Sequence, residues 1–262
     1  MDNGPRLKIK AYIIHLEKSS QRARNVRKIR DRCPIPICVQ AAVDGSLLTD
    51  SDLTKVYQPR LHFPDYPFPL LPGEIGVFLS HRACWKKMMD DGVDSALILE
   101  DDTVLEKLFE RSLEFALNHI TSLGYINFNV RPIKGRSRVV ATSGRENPMQ
   151  ILEPALVPHR TNAQLVSRQA GEKLLISSEQ FDRPVDSFLQ LRRITGQRIF
   201  MMEPSGISEN SGITGGSTIH NNKQISWLDR KIRRFRYRTQ LRKISRQYWN
   251  SEILPSLPRQ HR

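Results

Sequence analysis

The sequence predicts an α/β fold in which a mostly parallel sheet carries helices on its faces. Three observations carry that prediction. Short apolar runs of strand length recur along the chain, among them AYIIHL, SALIL and NAQLVS. Segments with apolar residues at helical spacing lie between them. Strand, helix and strand also follow one another within residues 9–43, which is the opening of a βαβ unit and of parallel pairing.

Taken in order, IKAYIIHL (9–16) reads as a buried strand. Ser19 or Ser20 caps a helix that runs to about Arg32, with Val26 and Ile29 as its sparse apolar face. IPICVQAAV (35–43) is a second strand, closed by the turn pair Asp44-Gly45. Prolines among aromatics over 57–73 predict an ordered loop or lid. A helix follows from Glu74 to Asp90, with Ile75, Phe78, Leu79, Trp85, Met88 and Met89 inward. The next strand, SALIL, runs directly into Glu100, Asp101 and Asp102. A helix is expected near Glu106–Ser122 and a strand over YINFNV, with short strands and loops over 131–160. NAQLVS (162–167) reads as a strand whose Ser167 caps the helix QAGEKLLISS. RPVDSFLQLRRITG (183–196) reads as one helix, with Pro184 early and Gly196 at its end, and QRIFMME as the last strand.

Composition bounds the class. A chain of 262 residues with 39% hydrophobic and 26% charged residues can bury a substantial core as one globular domain. We expect that domain over 1–222, with 223–262 as a basic, aromatic, helical tail. No apolar run approaches the about 20 residues of a membrane-crossing helix, and no apolar segment of signal-peptide type follows the basic start. The three cysteines lack CxxC spacing, which argues against a zinc site or a disulfide framework and for a reducing cytosol. The net charge of +14 is concentrated late: residues 227–247 hold nine Lys or Arg against one Asp. Trp227, Phe235, Tyr237, Tyr248 and Trp249 lie among or beside them. That mixture suits an anionic membrane surface better than nucleic acid, although a solvated helix would read the same way. Trp227, Ile232, Phe235 and Leu241 do not form one unbroken stripe, so cations are expected to supply most of the attraction.

The chemistry gathers at EDD. Ligands of parallel α/β sheets bind beyond the carboxyl ends of the strands. Strand alternation sends Glu100 and Asp102 to one side and Asp101 to the other. Two carboxylates on one side are hard oxygen ligands for Mn²⁺ or Mg²⁺, an ion commonly shared with phosphate oxygens. Phosphatases and nucleotidyltransferases use such pairs too, so EDD alone names no reaction.

The surrounding blocks are more specific. PGEIGVFLSHRACW followed by SALILEDD resembles the central block of glycosyltransferase family 25, which includes lipooligosaccharide and collagen galactosyltransferases. AYIIHLEKSSQR, AAVDGSLL, TNAQLVSRQAGEKLL and RPVDSFL resemble further blocks in the expected order, so the resemblance covers residues 9 to about 220. His15, Asn162 and Gln164 depart from the usual Asn, His and Tyr.

The resemblance implies a GT-A fold of Rossmann type, a UDP-sugar donor, and an inverting, metal-dependent transfer of a hexose such as galactose. The acceptor would be a saccharide of lipid-linked lipooligosaccharide or lipopolysaccharide. The enzyme would then sit in a bacterial cytoplasm, peripheral on the inner face of the membrane. Glu100 and Asp102 would hold Mn²⁺ or Mg²⁺, with His220 completing the shell, and Asp186 would be the general base, a helix cap being its structural alternative. Arg22, Glu74, Ser80, His81 and Asp101 would contact substrate, with Glu74, His81 and Trp85 sharing a helix face by spacing. Gly73, Gly215 and Gly216 would permit close backbone approach. The alternatives are a metal-dependent nucleotidyltransferase, or a nucleic-acid-binding module that uses the tail.

Overall fold

The computed structural model describes residues 7–130, 132–144, 148–209 and 226–251. The chain opens with β1 (Ile9–His15), α1 (Ser20–Arg32) and β2 (Ile37–Ala41), then a 3₁₀ turn (Gly45–Leu47) and α2 (Asp50–Val56). α3 (Pro72–Asp90), β3 (Ser95–Glu100) and β4 (Thr103–Leu105) follow, then α4 (Phe109–Leu117), α5 (Ile120–Leu123) and β5 (Tyr125–Phe128). β6 (Ser137–Ser143), β7 (Met149–Pro154), β8 (Ala163–Ser167) and α6 (Arg168–Ser177) come next. The described elements end with α7 (Val185–Phe188), α8 (Arg192–Thr195), β9 (Phe200–Glu203), β10 (Ile207–Glu209) and α9 (Trp227–Ser251).

Eight strands form one sheet in the order β2-β1-β3-β8-β5-β9-β7-β6. β1 pairs in parallel with β2 and β3, and β5 with β9. β8 and β7 run against their neighbours. Six strands therefore share one direction and two oppose it, a mixed sheet whose first half has the predicted parallel βαβ form.

Side-chain alternation sorts the core into two layers. On one face Ala11, Ile13, Leu97 and Leu99 pack with α1, α4 and α5. On the other, Tyr12, Ile14, Ala96 and Ile98 pack with α3, α6 and α7. Residues Ala96–Leu99 are fully buried, as expected for a strand covered on both faces. α3 lies so close to the 3₁₀ turn that a Cβ on Gly76 would stand 2.7 Å from the Val43 carbonyl oxygen. Glycine is needed there for space.

Several expectations change. The helix expected near Glu106–Ser122 is α4 and α5, preceded by the unforeseen β4. Residues 183–196 form two single turns, α7 and α8; the five consecutive residues from Ser187 to Leu191 are all buried, and in one helix they would ring its whole circumference. Residues 137–154 form an antiparallel hairpin of β6 and β7 at the sheet edge. The proline-rich loop is ordered by Asp182 and Arg183: Asp182 accepts from His62 N–H (3.0 Å), and Arg183 donates to the His62 and Pro64 carbonyls (2.6 and 3.0 Å).

The basic tail is not detached. Tyr237 and Leu241 of α9 are buried in a cluster with Leu191, Tyr66, Leu156 and Ile194. Trp227, Leu228, Ile232 and Phe235 are exposed. Among the described residues no helix is long and apolar enough to cross a membrane.

Candidate active site

Parallel pairing of β1 with β3 sets His15 and Glu100 at neighbouring strand ends. β8 runs antiparallel to β3, so the residues just before it, Thr161 and Asn162, arrive at the same end. The Glu100 N–H donates to the Asn162 carbonyl (2.8 Å), which fixes that register.

Glu100 accepts from the Thr161 hydroxyl at 2.7 Å and lies 3.3 Å from His81 Nε2. The protonation of His81 follows from its other neighbour. Gln164 Nε2 donates to the Thr161 carbonyl (2.9 Å), while Gln164 Oε1 accepts from the Tyr125 hydroxyl (2.5 Å). The amide nitrogen therefore faces His81 Nδ1 at 3.1 Å, which makes Nδ1 the acceptor and leaves Nε2–H to donate to Glu100. Burial opposes ionisation of Glu100, but the His81 contact and the Thr161 hydroxyl outweigh it and hold the carboxyl below its ordinary range.

Asp102 meets different surroundings. Burial and the neighbouring Glu100 charge push its carboxyl up to about 6, against the Arg22 charge and an Asn162 amide bond of 3.0 Å. Asp101 points the other way and is 4% exposed. Its two oxygens are held by His15 Nδ1 and Arg22 Nη1, each at 2.8 Å, and its carbonyl accepts from Asn25 at 2.8 Å.

Glu100 and Asp102 open onto a cavity of about 720 Å³, within the range of small-molecule sites. Arg22, Glu74, Asp186 and Glu209 line it too, as do Arg160, Arg234 and Arg238. Asp186 accepts from the Arg160 N–H (3.2 Å) and the Ser187 hydroxyl (3.1 Å), and lies 3.4 Å from His159 Nδ1. Burial opposes its ionisation, yet His159 and the Arg160 N–H hold it below the ordinary carboxyl range. Glu74 accepts from the Leu71 N–H at 2.9 Å, closing the first turn of α3. Burial, then repulsion from Asp186, raises its carboxyl. Glu209 is ion-paired with Arg160.

The predicted residues thus divide. Arg22, Glu74, Glu100, Asp102 and Asp186 share the cavity. Ser80, His81 and Asp101, expected at the substrate, are turned inward. Ser80 accepts from the Val43 N–H (2.8 Å) and donates to the Gly76 carbonyl (2.7 Å), while fully buried His81 supports Glu100 from beneath. His220, Gly215 and Gly216 lie outside the described residues. Sequence reasoning missed Thr161, which orients Glu100, and Arg160, Arg234 and Arg238. The clue to Thr161 was its place one residue before the NAQLVS strand.

Among the described residues no group of three or more His, Cys, Asp or Glu side chains is arranged to hold a metal. Glu100 and Asp102 nonetheless fit a hard divalent cation: both present oxygens to one cavity, and their repulsion is what a cation would relieve. They would be its protein ligands.

Residues 8–142 match the family described as "Glycosyltransferase family 25 (LPS biosynthesis protein)". The chain is 30% identical over 181 residues to a Danio rerio protein named "Procollagen galactosyltransferase 1", which covers 66% of this chain and 29% of that one. It is 28% identical over 189 residues to the Homo sapiens protein named "Procollagen galactosyltransferase 2", with 68% and 29% covered. The chain therefore spans about 30% of the length of these relatives. A solved mannose-1-phosphate geranyltransferase from Thermus thermophilus aligns over 74% of this chain and 73% of its own, at 8% identity and a TM-score of 0.33. The chain belongs to glycosyltransferase family 25, a family of sugar-transferring enzymes.

Proposed function

We propose that the protein is a GT-A-type transferase that moves a hexose, galactose, from a UDP-sugar to a saccharide acceptor of lipopolysaccharide type, with inversion. The observation that carries this reading is the convergence of Glu100, Asp102 and Asp186 on one cavity at the carboxyl end of β3. The galactosyltransferase names of the relatives support the sugar, and the family description supports the acceptor. A divalent ion held by Glu100 and Asp102 would supply neutralising charge for the departing diphosphate.

The chain's own residues do the rest. Asp186, ionised at neutral pH, accepts the proton of the acceptor hydroxyl. The hydroxyl oxygen then bonds to the anomeric carbon on one face of the sugar, while the bond from that carbon to the phosphate oxygen breaks on the other and UDP leaves. The His159 and Arg160 contacts orient Asp186, and the His81–Glu100–Thr161 bonds hold Glu100 in one rotamer.

The acceptor's lipid gives α9 a role at an anionic membrane surface. Leu228, Ile232 and Phe235 recur at i, i+4 and i+7 and are exposed, flanked by cations on the same helix. Leu241, which interrupts the stripe in the sequence, faces the protein instead.

The test is a screen of the purified protein with Mn²⁺ against UDP-galactose, UDP-glucose and UDP-N-acetylglucosamine, reading released UDP. UDP-galactose should be consumed fastest. Consumption of a nucleoside triphosphate with pyrophosphate release, and of no UDP-sugar, would replace this reading with nucleotidyl transfer.

A further inference from the structure

Part of the cavity wall comes from the tail helix, through Arg234, Tyr237 and Arg238. Tyr237, 6% exposed, is the docking point. Its ring meets Tyr66 edge-on at 5.5 Å, and its hydroxyl accepts from Arg183 at 3.3 Å. Leu241, one turn on, is 2% exposed and keeps the same face inward. Arg234 lies three residues before Tyr237, and Arg238 lies four after Arg234, so the two arginines are neighbours on the helix surface. Both line the cavity. The Arg234 guanidinium stands 5.4 Å from the centre of the Phe68 ring, which also lines the cavity.

The four arginines of this cavity are not equivalent. Arg22 is engaged by Asp101 and Arg160 by Glu209. Among the described residues no carboxylate pairs with Arg234 or Arg238. Charge balance explains the use of two such cations. A divalent ion between Glu100 and Asp102 offsets only those two carboxylates, and Asp186 adds a further negative charge to the cavity. A diphosphate entering there still needs neutralising groups, and guanidinium forks match phosphate oxygens in shape as well as sign.

We infer that Arg234 and Arg238 bind the diphosphate of the donor, so that α9 forms part of the catalytic pocket as well as an outer surface. The identity of the ligand rests on the donor reading above. The helix then has two working regions: Arg234 and Arg238, which line the cavity with Tyr237, and the exposed Leu228–Ile232–Phe235 stripe, which does not line it.

The experiment is calorimetric titration of the full chain, in Mn²⁺, with inorganic pyrophosphate and with UDP. Wild type is compared with R234Q/R238Q and with the charge-retaining R234K/R238K. Both arginines are exposed, so the melting temperature should not change. R234Q/R238Q should weaken both ligands by about tenfold or more, the scale of losing charge-assisted bonds to an anion, and the lysine variant should recover part of that loss. Equal affinities in wild type and R234Q/R238Q would overturn the inference. So would a loss confined to phosphorylated acceptor saccharides, with pyrophosphate and UDP unaffected. If R234Q/R238Q loses pyrophosphate while the wild type binds no UDP and consumes no UDP-sugar, the anion site is supported and only the donor reading fails.

Discussion

Two carboxyl groups two residues apart at the end of β3 meet opposite environments, and the difference is measurable. Glu100 is held ionised by His81 and Thr161, whereas Asp102 is pushed up to about 6 by burial and by Glu100. In the metal-free protein the folded state therefore binds a proton at Asp102 more tightly than the unfolded chain does. Stability from this group is fully present below the ordinary Asp range and is lost as pH rises from there through about 6, above which the loss is complete. Asp102→Asn should flatten that part of the profile and raise the melting temperature at pH 7.5. Mn²⁺ at the same pH should stabilise wild type and leave the variant unmoved. Identical thermal profiles for both proteins from pH 5 to 8, with and without Mn²⁺, would refute the coupling. Asp186→Asn keeps the shape and removes the base, so kcat should fall by about 10²- to 10⁴-fold with donor affinity unchanged. Retained turnover would pass the role to Glu74 or Glu209, the other carboxylates of the cavity. The division of Glu100 and Asp102 from Asp101 was legible in the period-two geometry of a strand. The burial of His81 was not, because it depends on Gln164 and Thr161, some 80 residues away, crossing β3 on an antiparallel strand.

At the scale of elements, α9 decides how tail and body are related. Its nine cations in 227–247 were plain in the sequence, but which face turned inward was not. Tyr237 and Leu241 find their partners on loops and short helices that no local pattern foretells. Two variants separate the faces. L228S/I232S/F235S should weaken sedimentation with anionic vesicles while preserving UDP affinity, since those side chains are exposed and do not line the cavity. Truncation before Trp227 should weaken both, because it also removes Arg234 and Arg238. High salt should release the intact protein from vesicles, as screening shortens below about 8 Å above physiological ionic strength. Vesicle binding that is indifferent to the triple substitution would remove the stripe from the account. The expected helix over 183–196 failed for a similar reason: packing of Phe188 and Leu189 into the layer of α3, and of Leu191 with Tyr237 and Leu241 of α9, overrode a favourable local helix signal.

For the whole molecule, the sheet explains why the site forms where it does. The parallel half, β2-β1-β3, places strand ends and α1 beside the acidic turn, and this half was readable from strand–helix–strand alternation. The antiparallel β8 brings Thr161 and Asn162 to the same end. Its sequence reveals a strand without a direction, because a short apolar run carries no sign of which way it pairs. The account's central claim is that Glu100 and Asp102 jointly hold a divalent ion that carries the nucleotide diphosphate. The most direct measurement is calorimetric titration of UDP into wild type and Asp102→Ala, each with Mn²⁺ and with chelator. The account predicts binding to wild type in Mn²⁺, its loss in chelator, and its loss in Asp102→Ala with the fold intact. Unchanged Mn²⁺-dependent UDP affinity in Asp102→Ala would contradict it.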